Sequence, residues 1–416
     1  MDTAGLVVVG ASLAGLRAVE AARLIGHTGP ITLVGAEPHL PYDRPPLSKE
    51  FLDGPEEPEP PYFRPADSLR ADLGVDLRLG APATDLDPDR RTVAVAGTPI
   101  RYDALILATG AAARPLPGTA GMAGVHTLRG LDDARAIRSA LVPGTRVVIV
   151  GAGFIGAEIA CAARRRGVAA TVVEAAPAPL LRAVGAEFGP ILGDVLRRHG
   201  VDLRCGGGVA NLVGENRVRA VRLADGTELP ADLVVVGIGA VAATDWLADS
   251  GLKLDDGVVC DETLSTAVGA VYAAGDVARW FNPTFGQVMR LENWTTAAEQ
   301  AAVAARNAVD PDGERSCATV PYFWSDWNGD RVQFVGLPEG DETTFVRGGP
   351  DTDAFLALYR RGDRVIGALG LNQRRTVIRL RGAIGRGAGW DETVAALRGQ
   401  PFPSATTRGR SGASPG

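Results

Sequence analysis

Two stretches of the chain, Gly10-Ala-Ser-Leu-Ala-Gly15 and Gly151-Ala-Gly-Phe-Ile-Gly156, repeat one motif and decide the fold. The apolar runs Leu6–Val9 and Val147–Val150 precede them, so each motif lies where a buried strand turns into a helix. This is the layout of a βαβ unit that binds a dinucleotide. A glycine-rich turn without a ligand is the alternative for a single motif. Two motifs, each followed by an acidic residue, predict two bound dinucleotides, most simply a flavin and the nicotinamide that reduces it.

The spacing of the glycines indicates what the two motifs bind. The first glycine allows a tight turn, the second lets the backbone approach a pyrophosphate, and the third lets helix and strand pack closely. The second motif is complete, with Gly151, Gly153 and Gly156, whereas the first has Ser12 in the middle position. Because serine is small, we expect the first motif to bind a pyrophosphate as well. In both units the N-terminus of the helix would meet the phosphates.

An acidic residue follows each unit near the end of the next predicted strand. Glu37 follows the first unit, and Glu174 follows the predicted strand 170–173 of the second. Such a carboxylate accepts hydrogen bonds from ribose hydroxyls and repels a 2′-phosphate, and NADPH sites tend to place an arginine there instead. Residues 175–177 supply no cation. The sequence therefore predicts NADH over NADPH, with Arg182 as the main reservation, since its long side chain is able to reach the same pocket.

Length and composition are those of a globular enzyme. The chain has 416 residues, of which 46% are hydrophobic and 22% charged, and this length predicts two or three domains. The net charge of −6 argues against general nucleic-acid binding. No apolar run reaches about 18 residues and no cationic leader precedes the first strand. We therefore expect no membrane span, no signal peptide and a cytoplasmic location.

The four cysteines are spread along the chain. No two of them lie closer than 44 residues, and they form neither a CxxC motif nor a cluster with histidine: Cys161, Cys205, Cys260 and Cys317. The sequence therefore predicts neither a redox disulfide nor a metal site, and free thiols in a reducing cytoplasm are the expected state. Without a disulfide relay, a reduced flavin must pass its electrons directly to an acceptor.

Strand and turn patterns predict an interrupted first domain. The predicted domains are an FAD-binding domain (1–112 and 241–317), an NAD-binding domain (113–240), a C-terminal α+β domain (318–400) and a disordered tail (401–416). Within the C-terminal domain, alternating patterns predict strands over 331–335, 343–347, 355–359 and 364–368 and a helix over Trp390–Arg398.

Two longer motifs resemble those of a known family. They are Pro41-Tyr-Asp-Arg-Pro-Pro-Leu-Ser-Lys49 and Val320-Pro-Tyr-Phe-Trp-Ser-Asp326. Over about residues 5–400 the chain resembles the FAD-containing, NADH-dependent ferredoxin reductases of bacterial oxygenase systems, in the glutathione-reductase-like flavoprotein superfamily. Less specific matches are Ala108-Thr-Gly110, Thr127-Leu-Arg129, Ala273-Ala-Gly-Asp276 and Leu291-Glu-Asn-Trp294. The fold that this resemblance implies is α/β: two Rossmann-like dinucleotide-binding domains plus a C-terminal α+β domain.

The resemblance also implies FAD and NADH as cofactors and assigns site residues. Lys49 and Glu158 are the expected catalytic residues: Lys49 stabilises the negative charge on the reduced flavin, and Glu158 pairs with it across the site. The residues expected to contact FAD are Gly10, Ser12, Ala14, Gly15, Glu37, Arg44, Lys49, Ala83, Ala108, Thr109, Gly110, Arg129, Gly275, Asp276, Trp294 and Trp324. The residues expected to contact the nicotinamide nucleotide are Gly151, Gly153, Phe154, Ile155, Gly156, Glu158, Glu174, Arg182 and Gly239.

The expected electron acceptor is an iron–sulfur protein such as a 2Fe–2S ferredoxin, which serves a haem-thiolate monooxygenase or a Rieske dioxygenase. Such ferredoxins are usually acidic, so this net-negative protein needs a local basic patch, whose candidates are Arg279, Arg290, Arg374 and Arg375. The tryptophans expected to shield the flavin or shape the electron path are Trp294, Trp324 and Trp327. Trp327 stands where glutamine is common in the family, near the expected flavin and docking region, so we expect it to influence partner choice.

Two alternative functions stay open at this stage. The same flavin is also suited to reducing rubredoxin, a quinone or another small acceptor, and rates with a ferredoxin against small acceptors separate these activities. Alternatively, the protein is a non-enzymatic redox sensor whose NADH complex alters partner binding, which slow flavin reduction and a long-lived charge-transfer complex would favour. The resemblance further implies a monomer.

Overall fold

The computed structural model describes residues 5–399, so the predicted tail lies outside the described residues. The helices, in chain order, are α1 (Leu13–Leu24), α2 (Leu131–Ala140), α3 (Phe154–Arg165), α4 (Leu181–Val184), α5 (Phe188–Arg198), α6 (Trp294–Val309), α7 (Arg374–Gly385) and α8 (Trp390–Arg398). Within residues 5–399 no helix combines the length and the apolar character that crossing a bilayer requires.

The strands follow the same chain order. They are β1 (Leu6–Val9), β2 (Ile31–Val34), β3 (Val75–Arg78), β4 (Ala83–Asp87), β5 (Thr92–Val95), β6 (Thr98–Arg101), β7 (Ala104–Leu107), β8 (Ala111–Ala113), β9 (Val125–Thr127), β10 (Val147–Val150), β11 (Ala170–Glu174), β12 (Asp202–Cys205), β13 (Val209–Val213), β14 (Ala220–Leu223), β15 (Glu228–Pro230), β16 (Leu233–Val236), β17 (Ala240–Ala242), β18 (Val258–Cys260), β19 (Val271–Ala273), β20 (Ala278–Asn282), β21 (Gln287–Arg290), β22 (Tyr322–Trp327), β23 (Asp330–Gly336), β24 (Glu342–Arg347), β25 (Phe355–Arg361) and β26 (Arg364–Leu371).

The first sheet is parallel, with the strand order β19-β7-β1-β2-β3. Its central strand β1 is buried along its whole length, as expected for a strand covered on both faces. Helix α1 follows β1 and packs against α6. Because β19 lies more than a hundred residues beyond β7, this sheet includes chain segments from before and after the second sheet.

The second sheet is also parallel and has the strand order β12-β11-β10-β16-β9. Its central strand β10 leads into α3, which packs against β10 and β11. A small antiparallel sheet of β13, β14 and β15 packs its apolar residues against one face. Both central strands thus end in a glycine-rich turn at the carboxyl edge of a parallel sheet, the edge at which open α/β sheets bind ligands.

The third sheet is antiparallel, with the order β22-β23-β26-β25-β24. Helices α7 and α8 bury their apolar residues with those of this sheet. The Tyr359 hydroxyl donates to the carbonyl of Val184 at 2.6 Å, which ties this sheet to α4. The strands predicted within 331–368 are confirmed with slightly longer bounds, and the helix Trp390–Arg398 is confirmed as predicted.

Candidate functional site

The first glycine-rich turn is packed too closely for larger residues at its two ends. Gly10 has φ +124°, and a Cβ added there would lie 2.0 Å from the carbonyl oxygen of Ala108. A Cβ added to Gly15 would lie 1.8 Å from the carbonyl oxygen of Gly10. Ser12 lies between them as the N-cap of α1, and its hydroxyl accepts a hydrogen bond from Arg44 Nε at 3.2 Å. The outer glycines therefore serve chain packing, whereas the middle position tolerates a side chain.

The second turn repeats this arrangement. A Cβ added to Gly151 would lie 2.3 Å from the carbonyl oxygen of Gly237, and one added to Gly156 would lie 2.1 Å from that of Gly151. A Cβ added to Gly153 would have no heavy atom of the described residues within 4 Å, apart from its chain neighbours and its own helix. This open space explains physically why serine fits at the matching position of the first turn.

The N-termini of the two helices that follow these turns are suited to binding an anion. Neither α1 nor α3 has a side-chain cap or an acidic residue in its first turn, in contrast to α2, where Asp132 and Asp133 occupy these positions. The first N–H groups of a helix carry partial positive charge and need acceptors. The turns and helix ends present in the chain thus fit the pyrophosphates of two dinucleotides.

A polar cluster lies beside the first turn. Arg44 pairs with Glu37 at 2.5 Å and also donates to the carbonyl of Arg129 at 2.5 Å, and the Tyr42 hydroxyl donates to the second oxygen of Glu37 at 2.5 Å. Burial by itself raises the pKa of Glu37, but the Arg44 guanidinium and the Tyr42 hydroxyl together outweigh it, so the pKa is lowered. The cluster holds a carboxylate next to Ser12, as a ribose-binding acid requires.

Further residues predicted to contact FAD lie near the first turn, at the carboxyl edge of the first sheet. Asp276 pairs with Arg129 at 2.8 Å, and the N–H of Gly275 donates to Gln300 Oε1 at 2.8 Å. A Cβ on Gly275 would lie 3.1 Å from that of Ala14. Gln300 is 1% exposed, and its Nε2 has no hydrogen-bond partner among the described residues. This unpartnered buried donor, which the sequence analysis missed, is consistent with a polar ligand at this edge.

The other residues predicted to contact FAD lie in chain segments around the same edge. Ala108 follows β7, the Thr109 hydroxyl donates to the carbonyl of Ala243 at 3.0 Å, and Gly110 has φ +71°. Ala83 begins β4, three residues after Gly80, whose N–H donates to the carbonyl of Glu37 at 2.9 Å. The segment leading to Ala83 therefore runs next to Glu37.

The buried carboxylate of Glu158 links three segments of the chain: α3, the segment that contains Ser48 and Lys49, and β22. Glu158, on α3, is 3% exposed and accepts from Lys49 Nζ at 2.9 Å on Oε2. The Ser48 hydroxyl donates to the same oxygen, and the Ser325 hydroxyl of β22 donates to Oε1 at 2.6 Å. The structure thus brings Lys49 and Glu158 together as expected. It adds two serines that the sequence analysis did not single out, although each lies within a motif that it quoted.

Tryptophans lie near this junction. Trp294 Nε1 donates to Asp43 Oδ1 at 2.8 Å, and its ring centroid lies 6.4 Å from that of Trp324. Burial raises the pKa of Asp43 above its usual value. The Arg331 guanidinium lies 5.7 Å from the centroid of the Trp324 ring. Trp327 is 0% exposed, so its side chain does not contact a docked partner directly, and its expected influence on partner choice stays a prediction.

Several of the residues expected on the nicotinamide side lie in or beside the second turn. The two oxygens of Glu174 accept from the N–H groups of Ala152 and Ala176, at 2.7 and 2.9 Å. Ile155 is 42% exposed, and Arg182, on α4, is exposed. The Phe154 ring lies 4.1 Å from that of Phe323, and Gly239 has φ +104°. Glu174 therefore stands at the end of β11 against the glycine-rich turn, as predicted.

The four candidate arginines of the basic patch divide into two groups. Arg279 pairs with Asp255 at 3.3 Å, and Arg290 pairs with Asp256 at 3.2 Å and with Glu292 at 2.9 Å. Because acids compensate their charges, these two residues do not form a basic patch. Exposed side chains at the start of α7 do, and we call them the α7 stripe: Arg374, Arg375, Ile378 and Arg379.

The α7 stripe begins near the tryptophans. Asn372 lies two residues before α7, and its Oδ1 accepts from the N–H of Arg331 at 2.8 Å. Arg331 is the residue whose guanidinium lies over Trp324. The stripe combines positive charge with Ile378, which is 47% exposed, and this combination suits an acidic protein surface.

Comparisons with known proteins agree with this arrangement. The family model of the pyridine nucleotide-disulphide oxidoreductases matches residues 4–301, and the reductase C-terminal model matches residues 322–401. Rhodocoxin reductase of Rhodococcus erythropolis is 38% identical over 375 residues, covering 89% of this chain and 87% of that protein. The ferredoxin–NAD(+) reductase component of the biphenyl dioxygenase system of Paraburkholderia xenovorans is 39% identical over 365 residues, covering 87% and 88%.

A solved structure extends the likeness to the fold. The crystal structure of the covalent putidaredoxin reductase–putidaredoxin complex matches with a TM-score of 0.89 and 31% identity, covering 96% of this chain and 100% of that chain. The expected resemblance and the expected fold class are thereby confirmed. The chain belongs to the pyridine nucleotide-disulphide oxidoreductase family.

Proposed function

We propose that this protein passes electrons from NADH, through FAD, to an iron–sulfur ferredoxin that feeds a haem-thiolate monooxygenase or a Rieske dioxygenase. The observation that carries the proposal is the contact between Lys49 and Glu158, at 2.9 Å. Lys49 follows the first dinucleotide unit and Glu158 lies on the helix of the second. An enzyme that moves electrons between two dinucleotides needs such a meeting point. The names of the relatives, ferredoxin and rhodocoxin reductases, support the same activity.

On the FAD side, we assign each polar group a binding task. The N-terminus of α1 holds the pyrophosphate, and Glu37 accepts from the adenosine ribose hydroxyls. Asp276, held by Arg129 at 2.8 Å, accepts from the ribityl chain. FAD, when bound, supplies an acceptor for two electrons and a donor of single electrons. Lys49 stabilises the negative charge that reduction places in the site, and Glu158 keeps its ammonium in position.

On the NADH side, Glu174 sets the choice of nucleotide. Its two oxygens are already oriented by the N–H groups of Ala152 and Ala176. We propose that it accepts from the ribose hydroxyls of NADH and repels the 2′-phosphate of NADPH. Phe154 and Ile155 then line the nicotinamide side, where the open space at Gly153 admits the pyrophosphate.

The acceptor is proposed to dock at the α7 stripe. Because the four cysteines are free among the described residues and offer no disulfide relay, the reduced flavin must pass its electrons directly to the acceptor. The exposed arginines of the stripe attract an acidic ferredoxin, and Trp294 and Trp324 shield the flavin from water. Free thiols also accord with a cytoplasmic location, and we propose that the protein works there as a monomer.

Steady-state oxidation of NADH with different acceptors tests the proposal. We expect a 2Fe–2S ferredoxin to be reduced at a higher kcat/KM than rubredoxin, a quinone or oxygen. The double reversal R374E/R375E is expected to lower kcat/KM for the ferredoxin, and a matched reversal of the exposed pair on α5, R197E/R198E, is expected to leave it unchanged. Equal or higher rates with the small acceptors would contradict the choice of acceptor.

A further inference from the structure

Trp327 is linked to the buried carboxylate by a chain of hydrogen bonds. It ends β22, is 0% exposed, and its Nε1 donates to Ser325 Oγ at 2.8 Å. Ser325 is also 0% exposed and donates to Glu158 Oε1 at 2.6 Å. The other oxygen of Glu158 accepts from Lys49 at 2.9 Å. A residue outside the proposed cofactor contacts is thus two hydrogen bonds from the site.

The direction of this chain follows from the chemistry of the indole. An indole N–H is a donor only, so Ser325 Oγ must accept from Trp327. The serine has one hydroxyl hydrogen, and with the indole excluded as an acceptor, that hydrogen lies on the bond to Glu158. A glutamine at this position carries both a donor and an acceptor, and its carbonyl is able to take the serine hydrogen away from Glu158. Tryptophan removes that alternative.

We propose that Trp327 is a positioning residue. By fixing the hydroxyl of Ser325, its N–H orients the carboxylate of Glu158 and hence the ammonium of Lys49. This inference rests on the proposed function, because the position of Lys49 matters for the reaction only if Lys49 serves a bound flavin. It assigns a role within this chain to a residue that the sequence analysis singled out.

A double-mutant cycle on the flavin-containing protein tests the inference. W327F removes the N–H and keeps an aromatic ring, and S325A removes the hydroxyl. We expect each single variant to slow flavin reduction by NADH about tenfold, because S325A removes the hydrogen bond to the Glu158 carboxylate and W327F leaves the Ser325 hydroxyl free to turn away from it. W327F/S325A is expected to be no slower than S325A alone, because Trp327 acts through Ser325. The second readout is the midpoint potential of the flavin, titrated with a chemical reductant, which becomes more negative by the same amount in all three variants.

The matched control is W280F. Trp280 is likewise 0% exposed and donates one N–H, to the carbonyl of Cys317 at 3.1 Å. W280F creates a comparable cavity but is expected to leave the reduction rate and the potential unchanged. If W327F does not retain flavin, W327Q replaces it in the same cycle, with the same expectation that its effect disappears beside S325A.

Several results would overturn the inference. One is a W327F or W327Q variant with the wild-type rate of flavin reduction and the wild-type midpoint potential. Another is a roughly hundredfold slowing of flavin reduction in W327F/S325A, which would mean that Trp327 and Ser325 act independently. A slowing in W280F equal to that in W327F would reduce Trp327 to a packing role. Failure of the proposed function is distinct, because it shows already in the wild-type protein as a missing flavin or as a flavin that NADH does not reduce.

Discussion

The contact between Lys49 and Glu158 gives the sharpest quantitative prediction. K49M removes the ammonium and keeps most of the apolar stem. The side chains of Lys49 and Glu158 are 14% and 4% exposed, and their charged atoms are 2.9 Å apart. At this distance Coulomb's law gives an attraction of about 1.4 kcal/mol in bulk water and about 6 kcal/mol at an effective dielectric constant of 20.

The buried partner sets the expected loss of stability. Removing one member of a buried pair typically costs about 3–5 kcal/mol, because the other charge is left behind. The hydroxyls of Ser48 and Ser325 still bind Glu158 in K49M. We therefore expect a loss at the lower end of that range, about 3 kcal/mol. The double variant K49M/E158Q leaves no unpaired charge of this pair buried, so it is expected to be more stable than K49M.

Two assays check this prediction together. Urea unfolding of wild type, K49M, E158Q and the double variant gives the coupling free energy, and anaerobic stopped-flow mixing with NADH gives the rate of flavin reduction. We expect K49M to reduce its flavin about a hundredfold more slowly, the usual cost of losing a charge-stabilising group. A K49M protein as stable as wild type, with a rate within twofold of it, would refute the reasoning about both the pair and the site.

Three further predictions concern the nucleotide, the docking face and the thiols. E174Q, which removes the charge that repels a 2′-phosphate, is expected to shift the ratio of kcat/KM for NADPH to that for NADH about tenfold upward, measured by steady-state kinetics; an unchanged ratio would contradict the role of Glu174. In R374E/R375E, the KM for an acidic ferredoxin is expected to rise at low salt and to approach the wild-type value at high salt; a salt-independent effect would exclude electrostatic docking. With Ellman's reagent at pH 8, the half-buried Cys205 is expected to react before the other three thiols, while all four react in denaturant; fewer than four would indicate a disulfide. The slow thiols are those whose pKa burial raises to about 12, namely Cys161, Cys260 and Cys317.

Features that depend on neighbouring residues in the sequence were predictable. An apolar run followed by closely spaced glycines has few alternatives to a strand, a tight turn and a helix, so β1 and β10 and their turns lie where expected. Glu174 was likewise placed correctly, at the end of β11. The pairing of Lys49 with Glu158 followed from the resemblance rather than from local pattern.

Features that depend on the approach of distant segments were not predictable. Ser325 and Ser48 bind the same carboxylate from strands and turns more than 100 residues away from Glu158 in the chain. Nothing in the sequence around Arg290 indicated that Asp256 would neutralise the charge of its guanidinium. For Trp327, the sequence identified an unusual residue, but its burial depends on how β22 packs against α3, which no local pattern encodes.

The central claim, that NADH delivers electrons to a bound flavin, is tested most directly by anaerobic stopped-flow reduction of the purified yellow protein. The sample is mixed with NADH and, separately, with NADPH, and the flavin absorption band is followed. Rapid bleaching by NADH alone is the predicted result, with Glu174 excluding NADPH. A protein without a flavin band, or one that both nucleotides bleach slowly, would contradict the account.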